Sequence, residues 1–168
     1  MNQVLSNQKI IRSCKNTQGG GSSGVRNIIQ ETDDVFRTFT GTYAVGKTWS
    51  THSFSANSKL NLSYYIPARN NQANSSVGLK IEYSIDGGAW VLLGESGKYS
   101  SVTTAAGLAE AGQNNYLFDP AMGTDFDIQF RFLHKAMVFT NTAYVNQDLD
   151  QVGDMFKTHF KIEEIKAS

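Results

Sequence analysis

The chain holds one cysteine, Cys14, in 168 residues, so no disulfide can form within it. A lone thiol in a Gly- and polar-rich stretch reads as an inert side chain. Charge is also scarce. Asp, Glu, Lys and Arg make up 18% of the residues, and 15 basic side chains balance 15 acidic ones. Nucleic-acid binders carry a basic excess or cluster, so the balance speaks against that class. The opening MNQVLSNQKIIRSCKN has no long apolar run. It therefore reads neither as a secretory signal nor as a membrane span, and predicts a protein made in a cytosol.

Polarity comes from neutral side chains: Asn, Gln, Ser and Thr together number 51. These residues suit turns and hydrogen-bonded surfaces and form isolated helices poorly. A surface near zero net charge gives little self-repulsion, which fits a protein packed among copies of itself. Hydrophobic residues at 40% are enough for a core, and the length suits one domain with room for an arm.

Residues 1–30 read as that arm. The tract Gln18-Gly19-Gly20-Gly21-Ser22-Ser23-Gly24 is linker-like. Val4, Leu5, Ile10, Ile11, Ile28 and Ile29 are spaced along it like anchors for a partner. Two readings stand side by side: a disordered tail, or an arm that orders against a neighbouring subunit.

Residues 31–168 read as strands. Runs at Val35–Thr40 and Thr48–Phe54 are β-branched and aromatic. Leu60, Leu62, Tyr64 and Ile66 alternate with polar residues until Pro67, which is expected to end the strand. Val77, Leu79, Ile81, Tyr83 and Ile85 share one face. Asp86-Gly87-Gly88 then offers a tight turn, and Ala89–Leu93 returns. Residues 94–124 read as a long loop with a short helix at Thr104–Ala111. Phe126, Ile128, Phe130 and Phe132 alternate cleanly. Ala136–Thr140 and Ala143–Val145 suggest a hairpin. Phe156, Thr158, Phe160 and Ile162 form the final strand. About eight strands with no regular helices predict an all-β fold, an antiparallel β-sandwich or jelly roll with an extended N-terminal arm.

Gly41-Thr42-Tyr43-Ala44-Val45-Gly46-Lys47-Thr48 fits the phosphate-loop pattern G-x-x-x-x-G-K-[ST]. That loop works by opening a helix onto the phosphates. Trp49-Ser50-Thr51-His52-Ser53-Phe54-Ser55 has no helical stripe, so the stretch reads instead as a hairpin with bends at Gly41 and Gly46. Ser84-Ile85-Asp86-Gly87-Gly88-Ala89-Trp90 resembles the Asp-box of sialidase-type propellers, a folding element that occurs here once. His52, His134 and His159 share no metal-ligand spacing and read as surface residues. Asp33-Asp34, Asp125 with Asp127, and Asp148 with Asp150 complete no calcium loop. No cofactor or metal is expected. Trp49, Tyr65 and Trp90 are the candidate ligand or interface aromatics, with Trp90 packing over its own hairpin as the plainer reading.

The Gly-rich arm, the neutral Asn/Ser/Thr-rich strands, the Y-S-I-D-G-G-x-W hairpin and the ending Ile162-Glu163-Glu164-Ile165 resemble small β-sandwich virion proteins of tailed bacteriophages. The resemblance transfers no functional residue. It implies a capsid decoration (cement) protein, or a tail or fibre component. Such a protein would be non-enzymatic, made in the host cytoplasm and housed in the virion. Its partners would be copies of itself in a homo-oligomer and a major capsid or tail protein. A carbohydrate-binding module or adhesin for a surface glycan is the other reading of the same strands and aromatics. An enzyme acting through Lys47, or on glycans, is the third.

Overall fold

In the computed structural model, residues 10–12, 24–70, 77–96, 110–137, 142–146 and 157–166 are described. They form twelve strands: β1 (Ile10–Arg12), β2 (Val25–Asp33), β3 (Arg37–Phe39), β4 (Ala44–Thr48), β5 (His52–Phe54), β6 (Ser58–Asn70), β7 (Val77–Ile85), β8 (Val91–Ser96), β9 (Glu110–Phe118), β10 (Phe126–Ala136), β11 (Ala143–Val145) and β12 (Thr158–Lys166). All pairings are antiparallel, and they build two sheets packed as a sandwich.

The larger sheet runs β1-β2-β12-β6-β11-β3, with β9 also on β6. β12 and β9 both pair with residues 60–65 of β6 and so occupy its opposite edges. β11 pairs with 68–70 on the β12 side. The smaller sheet runs β4-β10-β7-β8, with β5 following β4 along the same edge of β10.

The alternating runs supply the core. Leu60, Leu62 and Ile66 of β6, Ile128, Phe130 and Phe132 of β10, Val77 and Leu79 of β7, and Phe160 and Ile162 of β12 are all buried. Phe160 sits at the centre, 5.1 Å from Phe132 and 5.5 Å from Phe130 by ring centroids, both edge-on. Edge-on rings set the positive rim of one against the negative face of the other.

The β7–β8 hairpin forms where expected. Asp86 (φ 50°) and Gly87 (φ 70°) both adopt positive φ, as a tight two-residue hairpin turn requires. Gly88 N–H donates to Ile85 O at 2.8 Å, and Ser84 Oγ donates to Gly88 O at 2.7 Å.

Several expectations are corrected. Pro67 does not end its strand: β6 continues to Asn70. Pairing with β12 stops at Tyr65 and pairing with β11 starts at Ala68, so the donor that proline lacks falls in the gap between them. In that gap Pro67 O accepts from Asn146 N–H at 3.0 Å. The expected long loop contains β9, nine residues with a single charge, Glu110, held as a strand by full-length pairing with β6. Residues 104–109 of the expected helix lie outside the described residues, and 110–111 belong to β9. β10 runs on to Ala136. Residues 25–30, expected in the arm, are part of β2, which pairs with β12 along its length.

Candidate functional site

The stretch matching the phosphate-loop pattern is where chemistry was to be sought first. It leads into a strand, not a helix. Gly46 and Lys47 lie within β4, so Gly46 marks no bend. A Cβ on Gly46 would strike the His134 ring and come within 3.1 Å of Phe39 Cζ, so glycine is needed there for close approach of the sheets. Gly46→Ala is expected to cost about 1–3 kcal/mol by overpacking. Equal thermal midpoints for variant and wild type would refute that account.

Lys47 Nζ turns away from any loop cradle. It lies 3.6 Å from Asp33 Oδ1 on β2 and 5.4 Å from the centroid of the Trp49 ring. Asp33 is buried and also forms an ion pair with Arg37. Asn146, whose φ is 57°, donates its Nδ2 to Asp33 O at 2.9 Å and accepts from Thr158 Oγ1 at 2.7 Å. The lysine of the motif is thus one corner of a polar knot joining β2, β4, β11 and β12.

A second knot lies two residues away on β2. Glu31 accepts from Ser50 N–H (3.3 Å), Ser50 Oγ (2.9 Å) and His52 Nε2 (2.6 Å). Ser50 Oγ points at the carboxylate and not at the imidazole, so the trio is a clasp and not a nucleophile activated by a base. Burial pushes the Glu31 carboxyl up, but the bonds from His52 and Ser50 together outweigh it and hold it below the ordinary range. A third acid, Glu164 on β12, is buried and accepts from Ser58 Oγ at 2.6 Å and Ser55 N–H at 3.1 Å. Asp33, Glu31 and Glu164 together fasten residues 47–58 to the larger sheet.

Glu31→Gln should lower stability at neutral pH by about 2 kcal/mol, the scale of hydrogen bonds to a charged group. Because the native carboxyl is the stronger acid, its contribution is complete above the ordinary value of 4.5 and is lost as the pH falls further. Melts between pH 5 and the acid limit should therefore converge for variant and wild type. Parallel profiles would remove Glu31 from the account.

The histidines correct the expectation of surface residues. His52 (9% exposed) and His134 (3%) are buried, and only His159 is exposed. Burial first, and the Arg37 charge second, push the His134 imidazole down to about 3. The acidic pairs also resolve into structure. Asp127 accepts from Ser53 Oγ at 2.5 Å, and Asp125 accepts from Ala56 N–H at 2.9 Å. Asp148 and Asp150 lie outside the described residues. Among the described residues, no three His, Cys, Asp or Glu side chains gather to hold a metal, and no helix is long and apolar enough to cross a membrane.

Of the three candidate aromatics, Trp49 is 1% exposed. Phe132 and Phe160 cover its ring, so it offers no face to a ligand. Tyr65 is half-buried, 6.1 Å from the His159 ring. Trp90 is half-buried with the Arg131 guanidinium 4.3 Å from its ring centroid, and Arg131 is fixed by Glu82. Of the arm anchors, Ile29 is in the core, Ile28 is partly buried, and Ile10 and Ile11 lie in β1, paired with β2. Val4 and Leu5 lie outside the described residues, as does Cys14.

Sequence reasoning missed the exposed apolar residues of β8 and β9: Val91, Leu92, Tyr116 and Leu117. The Val91-Leu92-Leu93 run was the available signal, since three apolar residues in succession cannot all face one core.

The class so defined is an all-β, two-sheet antiparallel sandwich whose reactive side chains tie the sheets together. No protein-family profile and no curated protein matches the chain. Among solved structures, that of the infectious bursal disease virus Gx strain overlaps it with a TM-score of 0.46 at 11% identity, covering 100% of this chain and 44% of that one. The Gt strain structure gives 0.47 at 12%, covering 99% and 46%. The crystal structure of the infectious bursal disease virus VP2 subviral particle gives 0.46 at 10%, covering 96% and 43%. This chain thus spans less than half the length of those chains. Overlap of this degree assigns no residue role.

Proposed function

We propose that this chain is a non-enzymatic structural protein of a virion, and within that class a capsid decoration (cement) protein that stabilises the particle through subunit contacts. The observation that carries the reading is the use made of its reactive side chains. Lys47, Asp33, Glu31, His52 and Glu164 hold the sheets together, while four of the exposed apolar side chains line strand edges. A protein that works by lateral packing needs a stiff body and apolar edges, and summed weak contacts give it mechanical strength. The likeness of the sequence to small phage β-sandwich proteins points the same way. Its partners are copies of itself and a major capsid or tail protein, with the segment that precedes β2 as the contact arm.

The test is gradient purification of particles with and without the chain. It should co-sediment with the particle, and particles lacking it should lose integrity at lower temperature. A chain left wholly in the soluble fraction, with particle stability unchanged, would overturn the proposal. Gold labelling confined to the tail would move it to a tail or fibre component. Magnesium-ATP should leave the melting temperature unchanged, and stabilisation abolished in Lys47→Ala would restore the nucleotide reading.

One observation favours a second reading. Trp90 is held by Arg131 beside the β7–β8 turn with part of its surface open, an arrangement that also suits a sugar ring. Glycan-array binding lost in Trp90→Ala would favour the adhesin.

A further inference from the structure

We infer that β1 is an exchange strand: in the assembled protein it leaves its own sandwich and pairs with residues 28–30 of β2 in a neighbouring copy of this chain. The inference rests on the assembly reading above and deepens it, naming the strand that the contact arm donates and the edge that receives it.

β2 pairs along one side with β12, and among the described residues only β1 lies on its other side. An open strand edge recruits other strands unless a bulge or an inward charge blocks it. β2 has both devices, one at each end. Its register against β12 passes from Asn27 to Val25, so Arg26 is a bulged residue. At the other end Glu31 and Asp33 turn inward, Glu31 to Ser50 and His52, and Asp33 to Lys47. Between them Ile28, Ile29 and Gln30 carry neither a bulge nor a charge. Those are the three residues that β1 covers, with Ile10 opposite Gln30, Ile11 opposite Ile29 and Arg12 opposite Ile28. The unguarded window and the strand that fills it thus have the same length. A longer strand would meet the bulge or the inward charges.

The connection to β2 favours a neighbour over the parent sandwich. β1 ends at Arg12 and β2 begins at Val25, so residues 13–24, twelve in all, join them. Antiparallel neighbours need only about two to five. Four of the twelve are Gly and three are Ser. Closing such a loop costs chain entropy, and a three-residue strand returns few hydrogen bonds for it. Pairing with the parent is therefore weakly held. A fully stretched chain of twelve residues reaches roughly 40 Å, about the width of a domain of this size. That length is surplus in a hairpin and suits a bridge to the next copy. A neighbour's β2 offers the same three residues in the same register, so exchange loses no contact. Copies held side by side present that edge at a concentration comparable with that of a tethered strand. Each copy then gives one strand and receives one, which ties adjacent subunits together.

Disulfide trapping separates exchange from self-pairing. Cys14→Ser first removes the chain's only thiol. In that background one full-length chain carries Ile10→Cys, and a second, differently tagged, carries Gln30→Cys, a change at the exposed residue opposite Ile10. Equal amounts are mixed at roughly 1 mM, the range of a tethered strand's effective concentration, and oxidised. A disulfide between the two tags reports β1 of one chain on β2 of the other. It should exceed by at least about fivefold the product formed with Thr32→Cys in place of Gln30→Cys, because cysteines whose Cα atoms lie beyond about 7 Å do not bridge. Thr32 is likewise exposed but lies two residues out of register. A mixed product no greater than that control overturns the inference. So does a chain carrying both Ile10→Cys and Gln30→Cys that closes only on itself at this concentration. Absence of bridges between chains that still co-sediment with particles would sink the exchange and spare the virion reading. Bridges between chains that never join particles would do the reverse.

Discussion

Replacing Trp49 with alanine is expected to lower the unfolding free energy by about 3–5 kcal/mol, the range for removing a large aromatic from a core. The ring is 1% exposed and packs 5.4 Å from Phe132 and 5.2 Å from Phe160. Its backbone is also committed: Trp49 N–H donates to Phe130 O at 2.9 Å, and Trp49 O accepts Gln129 Nε2 at 2.9 Å. The smaller-sheet edge therefore cannot shift to fill the hole without losing those bonds. Trp49→Phe should behave differently. The indole Nε1 is buried with no hydrogen-bond partner among the described residues, so the wild type already carries an unmet donor. Removing that donor relieves a desolvation penalty of about 1–3 kcal/mol, which offsets much of the lost volume. Urea unfolding should thus rank wild type and Trp49→Phe close together and Trp49→Ala far below, with a melting point lower by roughly 10 °C for a domain of this size. Equal losses in the two variants would mean that the ring's volume is not what the core needs.

Trp49 also shows what the sequence made legible and what it hid. One unbroken strand over Thr48–Phe54 would put Trp49 on one face and both His52 and Phe54 on the other. The chain instead leaves the strand between β4 and β5, over residues 49–51. That break resets the alternation. Trp49 and Phe54 are both buried, and His52 is carried inward with Phe54. Period-two reading works only while pairing is unbroken. It succeeded along β6, β7, β10 and β12, where long pairings fix the register.

The same alternation, carried further, would have found two buried polar residues. Glu164 continues the inward row of Thr158, Phe160 and Ile162, and His134 continues that of Phe126, Ile128, Phe130 and Phe132. Neither reads as core from the sequence, because polar residues are seldom buried without a partner. For Glu164 the partners, Ser55 and Ser58, are over a hundred residues away in the chain. β9 was illegible for another reason. Its sequence EAGQNNYLF has little strand preference, and its pairing with β6 supplies what propensity does not.

His134 should make the fold acid-sensitive well above the range of ordinary carboxylates. The imidazole is 3% exposed, its ring centroid is 5.1 Å from that of Phe39, and the Arg37 charge acts on it. Burial and that charge push its pKa from 6.5 down to about 3. An unfolded histidine takes up its proton near pH 6.5, whereas the native one refuses it until about pH 3. Below pH 6.5 the unfolded chain therefore binds a proton that the native state does not, and stability falls by at most about 1.4 kcal/mol per pH unit. The contribution is complete above 6.5 and is lost progressively down to about pH 3. By pH 5 the loss from this one residue approaches about 2 kcal/mol, before Glu31 has begun to contribute. His134→Phe removes the titration while keeping a ring against Phe39. Its absolute stability will shift, but the slope isolates the effect. Urea midpoints from pH 7.5 to 5 should fall in the wild type and fall distinctly less in the variant. A variant that retains the wild-type slope would show that His134 takes its proton in the native state, which its burial against Phe39 and Gly46 argues against.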